Sequence, residues 1–314
     1  MAALNTINGL HHVTAIAGPA RRNLDFYTRT LGLRLVKKTV NFDDPGTYHF
    51  YYGDEAGSPG TILTFFPWAH VAPGRIGIGE TQETAFRVPE GSIGYWTHRF
   101  IDKGVAFEAP VKRFGETVLS FRDPDGMRLA LVGLPGIAGE PAWLAGEISA
   151  EHAIRGFHSV NLLLADAAPT AAILTDVFGF SELGRDGSLL RFKAGDTAIG
   201  GIVDIQAAGN FMPGRMGGGS VHHIAFRAAN DAAQSAMVKR LAENHGIQTT
   251  EQKDRNYFRS VYFREPGHVL FEIATDSPGF AADEPVAALG RDLKLPGFLE
   301  AHRREIESVL PAVA

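Results

Sequence analysis

The sequence predicts an α+β fold of four βαβββ units, paired into two curved-sheet, barrel-like modules. Three observations predict it. A short strand-like stretch recurs at residues 10–16, 84–88, 156–164 and 221–227. Each is followed by a helical stretch that stops at a glycine, namely Gly32, Gly104, Gly179 and Gly246. Phrases also repeat: residues 26–33 are echoed by 173–180, and Phe-Arg-Asp-Pro at 121–124 by Phe-Arg-Glu-Pro at 263–266.

In unit one, Leu24, Tyr27 and Leu31 give helical spacing over 23–31, and strands are expected at 47–52 and 61–66. Unit two predicts a helix over 92–103 and strands near 105–107, 117–122 and 127–132, the last two joined by Asp123, Pro124, Asp125 and Gly126. Unit three predicts a helix over 168–178 and strands at 189–193 and 199–205. Unit four predicts a helix over 231–244 and strands at 260–264 and 269–275. Residues 136–154 are rich in Gly, Ala and Pro and read as a linker. They divide an N-terminal pair of units (1–135) from a C-terminal pair (155–280), and residues 281–314 form a tail with a last helix near 299–309. Units this short lack a deep core alone, and pairing their curved sheets encloses cavities.

At 314 residues and 45% hydrophobic composition the chain can bury a large core. Its net charge of −5 is spread over both signs with no basic run, which argues against nucleic acid or acidic membrane as a partner. There are no cysteines, so disulfides and thiolate metal sites are excluded. Neither a leader-like start nor a run of about 18 apolar residues occurs, and a cytoplasmic protein is expected. The sequence does not set the oligomeric state, and a homo-oligomer is compatible with it.

Chemistry concentrates in two His-His phrases and one acid. A strand sends alternate side chains to opposite faces. His223 shares a face with small Ala225, whereas His222 shares one with Ile224 and Phe226. Glu272 lies among Leu270, Phe271 and Ile273, where an unpaired carboxylate is costly. His11 and His12 repeat the phrase at the start of unit one. A lone histidine is ordinarily a hydrogen-bonded core or surface residue. Two His-His phrases in equivalent places, with a strand-borne acid, instead favour the two-histidine, one-carboxylate set of non-haem Fe(II) oxygenases. Periodicity alone does not say whether His12 or His158 completes this set, because unit four could pair with unit one or unit three. Matching the Phe-Arg phrases puts Leu131 where Glu272 stands, so unit two has no acid there. Glu83, His158 and Asp204 fall near ligand positions of units two and three, and surface or capping roles are the plainer expectation for them.

Residues 10–16, 25–27, 31–49, 58–68, 155–159 and 289–296 together resemble the vicinal oxygen chelate superfamily, and within it the ring-cleaving hydroquinone dioxygenases. The resemblance spans nearly the whole chain. It implies the vicinal oxygen chelate fold, with His12, His223 and Glu272 as metal ligands and units one and four paired. It also implies Fe(II), with Mn(II) as the alternative metal, and a small aromatic diol and O2 as reactants. Tyr262 would donate or shuttle a proton, and Arg255 would stabilise developing negative charge. The plainer roles are a strand-end aromatic and a loop cation. His11 and His222 are expected either to orient the ligand rings or to pack against helices. His49 and the remaining histidines are expected to be structural or at the surface. Phe65, Phe66, Trp68, Tyr257 and Phe258 suit a ring pocket, shared with the core. Rival readings on the same scaffold are an extradiol catechol dioxygenase, a glyoxalase-type isomerase with a fourth ligand, and a bleomycin-resistance-type binding protein.

Overall fold

The computed structural model describes residues 8–313. Unit one holds β1 (Leu10–Ala17), α1 (Ala20–Asp25), β2 (Arg34–Asn41), β3 (Asp44–Gly53) and β4 (Ile62–Pro67). Unit two holds β5 (Glu80–Pro89), α2 (Ile93–Lys103), β6 (Val111–Arg113), β7 (Glu116–Arg122) and β8 (Arg128–Leu134). Unit three holds β9 (Phe157–Leu164), α3 (Ala168–Asp176), β10 (Phe180–Asp186), β11 (Leu189–Ala194) and β12 (Ile202–Ala207). Unit four holds β13 (Val221–Ala228), α4 (Asp231–His245), β14 (Lys253–Asp254), β15 (Arg259–Arg264) and β16 (Leu270–Thr275), and α5 (Arg303–Val309) lies in the tail.

The expected helix stops hold at both long helices. Gly104 after α2 and Gly246 after α4 adopt φ of 66° and 65°, the left-handed conformation that suits glycine. Asn230 caps α4 by accepting the Ala233 N–H. In unit one the helix begins earlier than the spacing predicts. It starts behind Pro19, whose fixed φ suits a helix entrance, and ends in a π turn over Phe26–Thr30. The strand expected at 105–107 is reduced to one bridge between Phe107 and Phe121.

Each sheet has eight strands, in the orders β14-β15-β16-β13-β1-β4-β3-β2 and β10-β11-β12-β9-β5-β8-β7-β6. Unit one therefore pairs with unit four, and unit two with unit three. The sheets are not drawn along the halves 1–135 and 155–280, because each takes one unit from either half. The strands that sequence pattern passed over, β2, β6, β10 and β14, are the four sheet edges. Edge strands carry charge rather than clean apolar alternation, which protects them from pairing with other chains. Helix α4 packs on β13 and β16, and one apolar core runs between the modules: Phe178, just after α3, stacks on Phe226 of β13 with centroids 4.1 Å apart. The tail folds back over β2, where Lys37 is buried against Asp283 and Glu284.

Two connecting segments, both reading Pro-Gly-Arg, cross between the modules and pair as a ribbon. Arg75 and Arg215 exchange backbone hydrogen bonds of 2.8 Å. A Cβ on Gly77 would meet the Met212 carbonyl at 2.4 Å, so that crossing requires glycine. Glu80 leaves this ribbon buried, its Oε2 without a partner, and burial pushes its carboxyl from 4.5 to about 7 against the pull of Arg264. The unfolded chain therefore releases this proton first, and stability falls as pH rises from about 4.5 to 7. Replacing Glu80 by Gln is expected to remove that fall, by at most about 3 kcal/mol. Thermal melts should show the variant gaining on the parent at pH 8 and matching it near pH 4. Parallel curves at the two pH values would count against the assignment.

Candidate metal centre

Strand register builds the site. Antiparallel β1 and β13 set His12 opposite Ala225 and Thr14 opposite His223. Parallel β16 then places Glu272 beside Ala225, and β15 places Tyr262 opposite Glu272. His12, Ala225, Glu272 and Tyr262 thus form one row on one face, with His223 two residues along β13 on that same face. Ala225 contributes only a methyl group between these side chains, which leaves room for them to converge.

His12 Nε2 lies 3.3 Å and His223 Nε2 2.9 Å from Glu272 Oε2. The two Nε2 atoms are 3.3 Å apart, and all three groups are buried. Among the described residues this is the group of His, Asp and Glu side chains whose ligand atoms converge in this way, all within 4.8 Å of one another. Ser260 donates to Glu272 Oε1, but Oε2 is buried without an aligned donor. An orphaned buried carboxylate oxygen facing two imidazole nitrogens fits a divalent metal better than a closed hydrogen-bond network.

The neighbouring histidines point the same way. His11 Nδ1 meets His12 Nδ1 at 2.9 Å, and His222 Nδ1 meets His223 Nδ1 at 2.8 Å. His11 also hydrogen-bonds the Thr275 backbone. If its proton goes there, its Nδ1 accepts from His12 and leaves the His12 Nε2 lone pair facing Glu272. Burial pushes the Glu272 carboxyl up, yet His12 and His223 together hold it well below the usual carboxylate range. Burial lowers His223, partly offset by Glu272, and lowers His222 to about 3.

His12 and His223 line a cavity of about 260 Å³, walled in part by Phe66, Trp68 and Phe258, with Glu272 buried behind them. Of the other expected ring-pocket residues, Phe65 is fully buried in the main core and Tyr257 packs with Phe280 under the tail. Tyr262 and Arg255 both line the cavity, with Arg255 Nε donating to Tyr262 Oη at 3.3 Å and Arg255 reaching Asp43 at 3.1 Å. Burial, and then the Glu272 charge, raise the Tyr262 hydroxyl, so it keeps its proton. His49 also lines the cavity, with Tyr51 beside it. Period-two reading of β3 would have put both on one face. Reading back two residues from Tyr262 would likewise have found Ser260.

The second sheet has the same strand order and no such centre among the described residues. Its register gives the row Glu83, Asn161, Asp204 and Arg191. Arg191 binds Asp204 through two 2.8 Å hydrogen bonds, and Arg113 binds Glu83. Ser159, not His158, occupies the position matching His223, and His158 turns to Ser159 and Glu116. The same comparison corrects Leu131. Ala130 faces Ser120 as Glu272 faces Tyr262, so Ala130 is the counterpart of Glu272 in unit two.

Residues 9–131 and 156–273 match the family described as the Glyoxalase/Bleomycin resistance protein/Dioxygenase superfamily. The chain belongs to that superfamily. Its relatives there include MhqO of Bacillus subtilis (strain 168), named as a ring-cleaving dioxygenase, at 45% identity over 96% of this chain and 95% of MhqO. The chlorohydroquinone/hydroquinone 1,2-dioxygenase of Sphingobium indicum is 32% identical over 96% of this chain and 95% of its own. A crystal structure of a Bacillus subtilis protein described as a dioxygenase superposes with a TM-score of 0.93 at 44% identity, covering 99% of each chain. Glyoxalase I of Zea mays shares the superfamily fold at a TM-score of 0.66 and 13% identity, over 87% of this chain and 94% of its own.

If the three groups hold a divalent metal, removing one should remove most of the metal affinity. His223→Ala or Glu272→Gln is expected to weaken Zn(II) or Mn(II) binding by at least about 100-fold, and His11→Phe by about 10- to 100-fold. Calorimetric titration of the metal into stripped protein measures both. Unchanged affinity in Glu272→Gln would exclude it as a ligand.

Proposed function

We propose that this protein is a non-haem Fe(II) ring-cleaving dioxygenase acting with O2 on hydroquinone-type aromatic diols, its metal held by His12, His223 and Glu272. The observation that carries this reading is the buried, uncompensated His-His-Glu convergence beside an aromatic-walled cavity. The names of the relatives support the reaction class and the diol substrate. Held by these three residues, such a metal would supply sites for a substrate oxygen and O2 and a route for electron transfer between them.

The chain's own residues then have defined tasks. Phe66, Trp68 and Phe258 offer ring contacts and exclude water from the cavity. Tyr262, protonated and held by Arg255, is placed to give a proton to an oxygen that develops charge. Arg255 adds a cation on the same wall. Breaking the ring carbon–carbon bond beside a hydroxyl, with both oxygen atoms retained, yields a semialdehyde-type acid.

The isomerase reading requires a second carboxylate from unit one. At the position in unit one that corresponds to Glu272 the register places Thr64, whose hydroxyl is committed to Thr14 at 2.8 Å. A binding protein would not need three converging metal ligands. A catechol-cleaving enzyme would use the same centre, and the test separates it.

Oxygen uptake by anaerobically Fe(II)-loaded protein should occur with methylhydroquinone, exceed that with catechol, and vanish in His223→Ala. Tyr262→Phe should lower kcat by about 10²- to 10⁴-fold. Uptake with catechol alone would change the substrate class, and no uptake with either diol despite bound iron would sink the dioxygenase reading.

A further inference from the structure

We propose that Tyr51, polarised by His49, is a further binding residue of this cavity: its oxygen accepts the hydrogen bond of a substrate hydroxyl. The inference deepens the diol reading above and rests on it.

The β1–β13 seam relates the two units of this sheet by a local twofold. His12 corresponds to His223, and Ala225 to Thr14. Thr14 pairs with Thr64 and Thr64 with Tyr51, as Ala225 pairs with Glu272 and Glu272 with Tyr262. Thr64 is therefore the counterpart of the ligating carboxylate, and Tyr51 that of Tyr262. Both tyrosines line the cavity.

Their hydrogen bonding gives them opposite polarity. Thr64 Oγ1 donates to Thr14 Oγ1 at 2.8 Å. With its one proton used, Thr64 accepts from His49 Nε2–H at 2.9 Å. A neutral imidazole protonated at Nε2 carries a lone pair on Nδ1. That lone pair accepts the Tyr51 O–H at 2.9 Å. Burial keeps His49 neutral and Tyr51 protonated, which the chain requires. The Tyr51 hydrogen is thus directed at His49, and its remaining lone pair is what the hydroxyl can offer the cavity. Tyr262 instead accepts from Arg255 and retains its hydrogen for donation. A diol held through one oxygen at the metal centre still carries one O–H, the donor that Tyr51 lacks. His49 is a positioning residue here, because it acts by fixing which way the Tyr51 hydroxyl points.

The test is equilibrium binding of hydroquinone and of phenol, which lacks the second hydroxyl, to Zn(II)-loaded protein under anaerobic conditions, measured by calorimetry. The parent protein should prefer hydroquinone by roughly 10-fold, the worth of one well-made hydrogen bond. Tyr51→Phe should bring that ratio close to one while leaving phenol affinity unchanged; the ring that packs on Phe280 at 5.0 Å is retained, so the fold should persist. His49→Phe should also lose the preference, because the Tyr51 hydroxyl is released to rotate, whereas His49→Gln, which keeps a donor and an acceptor, should retain part of it. A Tyr51→Phe or His49→Phe protein that discriminates as the parent does would overturn the proposal while leaving the diol reading intact. So would a parent protein that binds both ligands equally. A parent that binds neither would overturn the diol reading, and this inference with it.

Discussion

Antiparallel pairing of β1 with β13 joins the first strand of the described chain to one more than two hundred residues later, and every part of the site inherits its register. His12 and His223 reach one face because Ala225 and Thr14 stand opposite them. A slip of one residue would turn that whole row of side chains toward the helices. The pairing also commits Glu272 to a fully buried position beside Ala225. Removing a carboxylate from water costs several kcal/mol unless something compensates it. Ser260 satisfies one oxygen, and the two imidazoles face the other. The convergence is stable only if a cation, a proton or a metal, occupies it.

The second sheet shows what the same topology does without that convergence. Its acids stand in matching rows, but Arg191 occupies the place of Tyr262 and Arg113 reaches Glu83. Glu83 and Asp204 are each neutralised by a fork of arginine N–H donors. The two modules therefore share a backbone plan and differ in how each balances its buried charge. One balances it internally as ion pairs, the other in a form open to a metal.

Support for the cavity comes from a distance along the chain. The tail buries Phe280 against Tyr51 and Tyr257, and Asp283 accepts the Tyr257 hydroxyl at 2.9 Å. Lys37, fully buried in edge strand β2, is tied to the tail by Asp283 and Glu284. A buried lysine between two carboxylates fixes where the tail crosses the sheet, so the floor beneath Tyr51 and Phe258 is held by ion pairing as well as by apolar packing. Among the described residues no helix is long and apolar enough to cross a membrane.

Much of this was legible in the sequence. The glycine stops after α2 and α4, the recurring opening strands and the Phe-Arg phrases mark four repeated units, because helix termination and strand alternation are local rules. Alternation also separated His223 from His222 and singled out Glu272, since an acid among Leu270, Phe271 and Ile273 needs a reason. The edge strands β2, β6, β10 and β14 were not legible, because charge on an edge hides the alternation that a buried strand displays. His49 and Ser260 were not singled out, because what draws attention to them, Thr64 and Glu272, lies on neighbouring strands, although alternation puts His49 on the face of Tyr51 and Ser260 on that of Tyr262. Which units pair, whether His12 or His158 joins His223 and Glu272, and whether Asp204 meets an arginine or a histidine were decided only by tertiary structure. Local sequence sets the face on which a side chain lies, but strand order and register between distant segments set what it faces.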